Sequence, residues 1–176
     1  MHNSNHTRSD ATHHSEDLHL TRHPADETAM LALGAEIAKI LHPGLIIFLS
    51  GNLGAGKTTL VRAILRSLDY KEKVKSPTYN LVEVYKISKL YLYHFDFYRF
   101  ENPAEWEEAG FREYFNADSI CMVEWPEKAG GLLPPADLKF FIHIAEAGRD
   151  VEIHAGTEAG RLCLKRWQTL MDSPTL

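Results

Sequence analysis

The chain has 176 residues, 44% of them apolar and 24% charged, the proportions of an ordinary globular protein and a length suited to one domain with a real core. Its 19 basic side chains against 24 acidic ones leave a net charge of -5, which argues against a protein that grips nucleic acid through a broad basic face. Any contact with RNA is therefore expected to run through a partner.

Residues 1–23 are polar, rich in His, Ser, Asn and Thr, and nearly free of large apolar side chains. Such a segment cannot bury enough surface to offset the entropy of ordering, and it reads as a disordered tail. It carries His2, His6, His13, His14, His19 and His23 without accompanying cysteine or carboxylate geometry, so it does not specify a metal site. Residues 24–176 read as a single domain. Asp26 is placed to cap a helix running to about Leu41, with Met30, Leu33, Ile37, Ile40 and Leu41 on one face.

Leu45-Ile46-Ile47-Phe48-Leu49 is a short apolar run suited to a buried parallel strand, and Thr59 to Leu68 repeats apolar residues at helical spacing. Between them lies Gly51-Asn52-Leu53-Gly54-Ala55-Gly56-Lys57-Thr58-Thr59, a glycine, four free positions and then Gly-Lys-Thr, the pattern of a phosphate-binding loop. Glycine permits positive φ, so consecutive N–H groups turn inward around a phosphate. Lys57 supplies a point charge for the β- and γ-phosphates, and Thr58 offers a hydroxyl to magnesium. The order strand, loop, helix aims the positive end of the helix dipole at the ligand. A nucleoside triphosphate with Mg2+ is the expected ligand.

Pro77 forces Ser76 toward an extended conformation, so Ser76-Pro77-Thr78-Tyr79 reads as a shaped loop. It is either a simple turn or a switch-like sensor of the γ-phosphate. Tyr79 to Ile87 and Leu90 to Asp96, with only Ser88 and Lys89 between them, predict a β-hairpin. Its second arm runs into His94-Phe95-Asp96-Phe97-Tyr98-Arg99, an unusual density of imidazole, carboxylate and guanidinium. Asn102-Pro103-Ala104-Glu105 predicts a helix start, opening an acidic helix whose carboxylates read as a solvated face, a partner surface or a catalytic group.

Ser119-Ile120-Cys121-Met122-Val123-Glu124 has the form of a buried strand closing on the magnesium-side carboxylate, with Glu124 acting on the metal directly or one contact removed from it. Trp125 follows at the sheet's carboxyl edge, where ligands of open α/β sheets bind; it either lines the site or packs in the core. Leu138 to Ala145 and Asp150 to His154 are β-like around a turn at Ala147-Gly148-Arg149, in which Arg149 on its own reads as an ordinary turn residue. Thr157 opens a terminal helix with Cys163, Trp167 and Leu170 predicted to face inward. Cys121 and Cys163 are the only cysteines, lack a Cys-x-x-Cys pair, and read as buried reduced thiols. No stretch approaches the roughly eighteen continuous apolar residues of a membrane span, and no signal-peptide pattern is seen, so the cytoplasm is the expected location.

Taken together, the loop from Gly51 to Thr59, Lys75-Ser76-Pro77-Thr78-Tyr79, the run from His94 to Arg99, and Val123-Glu124-Trp125-Pro126-Glu127 closely resemble the TsaE (YjeE) family. These are bacterial ATPases needed to make threonylcarbamoyladenosine in tRNA. The resemblance runs from about Pro24 to the last strands. It implies an α/β fold of the P-loop NTPase kind, three layers with a mixed central β-sheet flanked by helices. It also implies ATP and Mg2+ as cofactors, and a partner complex of TsaB with TsaD on which ATP hydrolysis acts.

Carried over motif by motif, the resemblance implies that Leu53, Gly54, Ala55, Gly56, Lys57 and Thr58 hold the phosphates, with Thr59 beside them. Thr58 and Glu124 would hold the metal, and Thr78 would belong to a switch loop. Lys57, Asp96 and Glu124 form the expected catalytic set, Asp96 orienting water, although the roles of Asp96 and Glu124 are exchangeable at this level. Arg149 and backbone near Glu27 match family positions close to the nucleotide, and Trp125 is counted with them. Asn52 departs from the pattern, since the family often has Asp there; the change keeps the size and removes a negative charge near the phosphates. A small-molecule kinase is the competing class, but no Arg-rich lid stands out. A GTP switch or binding module is a third, and the Asn-Lys-x-Asp run that reads guanine in many GTPases is absent.

Overall fold

The computed structural model describes residues 18–173. In chain order the elements are β1 (His19–Arg22), α1 (Glu27–Ala38), β2 (Ile46–Ser50), α2 (Lys57–Ser67), β3 (Val82–Ile87), β4 (Leu90–Asp96), α3 (Glu105–Glu108), β5 (Ser119–Glu124), β6 (Leu138–Ile144), β7 (Arg149–Ala155) and α4 (Glu158–Asp172). The seven strands of the described residues join one mixed sheet in the order β1-β7-β6-β2-β5-β4-β3. The inner four, β6, β2, β5 and β4, run parallel, and antiparallel partners close both edges. β5 is buried at all six positions, which explains its unbroken apolar run: a central parallel strand is covered on both faces.

Alternation along the strands divides the core into two faces. Ile47, Leu49, Leu92, Ile120 and Met122 turn toward α1, α2 and α4, whereas Phe95, Cys121 and Val123 turn toward an aromatic cluster built by Phe97, Phe100, Trp106 and Phe111. One layer is thus helical, and the other is made by the short α3 and neighbouring turns. α1 and α2 approach closely at Gly34, where a Cβ would lie 2.5 Å from that of Ala63. α4 joins them through a hydrogen bond from Trp167 Nε1 to Glu36 Oε2 at 3.0 Å, with the Arg22 guanidinium 5.0 Å over the Trp167 ring.

The caps behave as their residue types require. Asp26 accepts from the Ala29 N–H at 2.8 Å, Thr157 accepts from the Gly160 N–H at 3.2 Å, and Glu105 reaches back to the N–H groups of Glu101 and Asn102. The predicted hairpin is β3 and β4, joined at Ser88 and Lys89, with Ser88 at φ 55.

Four details differ from the expectations drawn from sequence. Residues 19–22 are not tail but strand β1, paired antiparallel with β7 from His19 opposite His154 to Arg22 opposite Val151. Four polar-looking residues form a strand because their partner lies at the far end of the chain, where local composition carries no trace of it. The first hairpin arm starts at Val82 rather than Tyr79, because the Leu81 N–H closes a turn onto the Pro77 carbonyl. α1 ends at Ala38, although Ile40 beyond it is still buried. Leu170 is 42% exposed and does not pack inward as Cys163 and Trp167 do. The rest of the predicted tail, residues 1–17, lies outside the described residues. Among the described residues no helix is long and apolar enough to cross a membrane.

Candidate nucleotide-binding site

The loop from Gly51 to Gly56 leaves the carboxyl end of β2 and enters α2 at Lys57, with Gly54 at φ 77 and Gly56 at φ 109. Gly51 is also pressed against β6, where a Cβ would lie 2.5 Å from the Ile142 carbonyl oxygen. β4 and β5 end level with this loop, since Asp96 is paired in register with Glu124. A cleft of about 220 Å³ opens between them, lined by Leu53, Gly54, Gly56, Lys57, Thr58, Thr59, Thr78, Asp96, Tyr98, Glu124 and Trp125. Ten of those eleven are expected site residues from the sequence; only Tyr98 is not.

Two hydroxyl–carboxylate pairs organise the floor of the cleft. Thr58 Oγ1 donates to Glu124 Oε1 at 2.7 Å, and Thr78 Oγ1 donates to Asp96 Oδ2 at 3.0 Å. Thr78 is also 2.7 Å from Ser76 Oγ, and the other oxygen of Asp96 accepts from the Tyr98 N–H at 2.9 Å. Glu124 Oε1 is shared with His94 Nε2 at 2.8 Å. His94 is fully buried, and its Nδ1 has no hydrogen-bond partner among the described residues. A buried polar atom left in that state costs about 1–3 kcal/mol.

Lys57 is 4% exposed and donates to the carbonyls of Gly51 at 2.6 Å and Asn52 at 3.0 Å, while its ammonium lies 4.4 Å from the Trp125 ring centre. Burial pushes the Lys57 ammonium below its usual pKa, against the opposing pull of Glu124, Asp96 and Glu127. Trp125 reaches that position through a left-handed backbone at φ 55, which turns the chain out of β5 into a 3-10 turn at Pro126–Ala129. Its ring also meets Tyr98, 5.0 Å away. Trp125 therefore lines the cleft.

Ala55 does not line it. This residue is buried beneath the loop, and its carbonyl accepts from Arg149 Nε at 2.6 Å. Arg149 Nη2 also reaches the Gly54 carbonyl at 3.2 Å, so Arg149 braces the loop from behind. A second cleft, about 430 Å³, lies on that side between Pro24, Asp26, Glu27, Met30, Gly148 and Arg149, and it shares Gly56 and Thr59 with the first. Glu27 and Arg149 are thus brought to the loop, though to its other flank. His94 and Tyr98 are not identifiable as site residues from sequence because their place depends on the β4–β5 register, but the spacing of His94, Asp96 and Tyr98 by two residues is the signal that puts all three near one edge.

The donor set suits a hard cation. A hydroxyl and two carboxylates offer oxygen only, and among the described residues no group of three or more His, Cys, Asp or Glu is gathered to cage a metal alone. That fits Mg2+, which is held by one or two carboxylates together with phosphate oxygens and its own waters.

Fold and cleft together define the class: an α/β protein in which a glycine-rich loop joins the central strand of a mixed sheet to the helix behind it. The chain belongs to the TsaE family, whose model, described as threonylcarbamoyl adenosine biosynthesis protein TsaE, matches residues 24–151. It is 45% identical over 147 residues to the tRNA threonylcarbamoyladenosine biosynthesis protein TsaE of Haemophilus influenzae, covering 81% of this chain and 93% of that one. It is 38% identical over 130 residues to the protein of the same name from Bacillus subtilis, covering 74% and 78%. The crystal structure of Bacillus subtilis YdiB matches with a TM-score of 0.76 at 25% identity, over 89% of this chain and 98% of that chain.

Proposed function

We propose that the chain binds ATP with Mg2+ in this cleft and hydrolyses it in the cytoplasm, supporting tRNA threonylcarbamoyladenosine biosynthesis by acting on the TsaB–TsaD complex. The relatives that carry that biosynthetic role in their names support the process. The observation that carries the ATPase reading is the pair of hydroxyl–carboxylate contacts, Thr58 with Glu124 and Thr78 with Asp96, at one end of the phosphate-binding loop.

The two contacts divide the work of the carboxylates. Glu124 is bonded to the hydroxyl that opens α2 and belongs on the metal side with Thr58. Asp96 is bonded to the Ser76–Thr78 loop and belongs on the side of the attacking water, which it orients. Lys57 exchanges its bonds to Gly51 and Asn52 for phosphate oxygens. Mg2+, when bound, neutralises charge on the β- and γ-phosphate oxygens. Glu27 and Arg149 flank the nucleoside, in the cleft that continues past Gly56 and Thr59.

The test is ATP hydrolysis by the chain alone and with TsaB–TsaD. Turnover is expected to rise with the partners, and Lys57→Ala and Glu124→Ala are expected to abolish it and to leave threonylcarbamoyladenosine unrestored in depleted cells. Equal rates with and without the partners would count against action on that complex. Normal levels of the modified nucleoside with Lys57→Ala would overturn the ATPase role, and phosphate transfer to a metabolite rather than water would favour a kinase.

A further inference from the structure

The imidazole of His94 lies behind the cleft and is not among the side chains that line it. It is fully buried, stands two residues before Asp96 on β4, and among the described residues bonds only to Glu124 Oε1, at 2.8 Å. Among the described residues its other nitrogen has no partner, so none of them competes with Glu124 for the ring. Glu124 is an acceptor toward Thr58 on the same oxygen. The contacts therefore assign a proton to His94 Nε2, which donates to Oε1.

Two donors converging on Oε1 have a geometric consequence. They fix the carboxylate rotamer and direct the Thr58 hydroxyl hydrogen at Glu124, so the hydroxyl's lone pairs point away from that hydrogen. Oε2 of Glu124 is left without a side-chain donor among the described residues. An apolar ring there would remove one of the two donors and leave Thr58 alone to hold the carboxylate.

We propose that His94 is a positioning residue, which holds Glu124 so that Thr58 and the second carboxylate oxygen are both presented to the cation that accompanies the triphosphate. This rests on the reading of the cleft as a Mg2+–nucleotide site. It gives the buried imidazole a part in the function, the ring being kept for its one bond to Glu124.

The experiment compares the wild-type chain with His94→Phe, which keeps an aromatic ring but has no donor, and His94→Gln, which restores one. Binding of a non-hydrolysable ATP analogue is measured by calorimetry with Mg2+ and with a chelator in its place. His94→Phe is expected to lose about tenfold to a hundredfold in affinity with Mg2+ while the metal-free affinity stays within about twofold, with much of the loss regained by His94→Gln. An unchanged Mg2+ dependence, or an equal loss in both conditions, overturns the proposal. A nitrogen-15 spectrum of the wild-type imidazole provides a readout that needs no variant of His94. Protonation at Nε2, with a signal that moves in Thr58→Val, supports the shared contact; protonation at Nδ1 alone, or a signal indifferent to Thr58→Val, overturns it even if His94→Phe fails to fold. A wild-type chain that binds no analogue at all would instead sink the nucleotide-site reading and this proposal with it, whatever the spectrum says of the contact.

Discussion

Thr78 holds Asp96 by a 3.0 Å hydrogen bond and is itself 2.7 Å from Ser76, so a short loop before β3 is tied to a carboxylate at the end of β4. If Asp96 orients water, Asp96→Asn lowers kcat by about a hundredfold or more while the affinity for ATP changes little, because a positioned base acts chiefly on the chemical step. Steady-state kinetics beside direct binding separates the two effects, and a rise in KM alone would move Asp96 from chemistry to binding. Thr78→Ala is expected to shift the same parameter in the same direction by about a tenth as much, since a neighbouring carboxylate that loses one donor keeps its charge. At this scale the sequence is informative where chemistry is local: Gly54, Gly56, Lys57 and Thr58 follow from loop geometry alone. It is silent where a residue works across strands. Nothing adjacent in the chain says that His94 meets Glu124, because that meeting depends on β4 and β5 being paired with Asp96 opposite Glu124.

Gly34 lies where α1 and α2 touch, and a side chain there would collide with Ala63 Cβ and with the backbone of Ala63 and Ile64. Gly34→Val is therefore expected to destabilise the fold by about 1–3 kcal/mol, read as a lowered midpoint in denaturant with little change in slope. An unchanged midpoint would mean that the two helices part without cost. β1 is expected to contribute at the opposite edge of the sheet: a chain beginning at Pro24 loses the β1–β7 ladder and the Arg22–Glu36 contact, and melts several degrees below one beginning at Leu18. Helices α1, α2 and α4 are legible because burial against the sheet gives them a period, and strands β2 and β5 because central parallel strands read as unbroken apolar runs. β1 is not, because four residues are too few to show a period and their partner strand lies near the other end of the chain.

Across the whole molecule, ionisable groups enclosed by the two cores tie stability to alkaline pH. Burial raises the Cys121 thiol from 9.0 to about 12 and the Tyr85 phenol from 10.0 to about 12. Both pKa values are higher folded than unfolded, so the unfolded chain releases its protons first as pH rises. The contribution is complete below about pH 9 and is lost progressively toward about pH 12. Thermal melting between about pH 8 and about pH 10 is expected to show a falling midpoint, with a shallower decline in Cys121→Ala; a flat profile would mean that neither group stays enclosed. The mixed sheet expected from the family resemblance is present, but the unequal layers are not written in the sequence. The aromatic face becomes a layer only when Phe95, Phe97, Phe100, Trp106 and Phe111 are brought together by a short helix and turns that have no strong period of their own.

The three tryptophans are distributed one to each region: Trp167 in the helical core, Trp106 in the aromatic core, and Trp125 at the cleft with the Lys57 ammonium 4.4 Å from its ring. The molecule thus carries its own optical gauge. Two emitters are shielded from whatever enters the cleft, and the third faces a cation that must move to reach a phosphate. A change in emission on adding nucleotide reports the cleft alone, and Trp125→Phe is expected to silence the signal while leaving the other two as an internal standard.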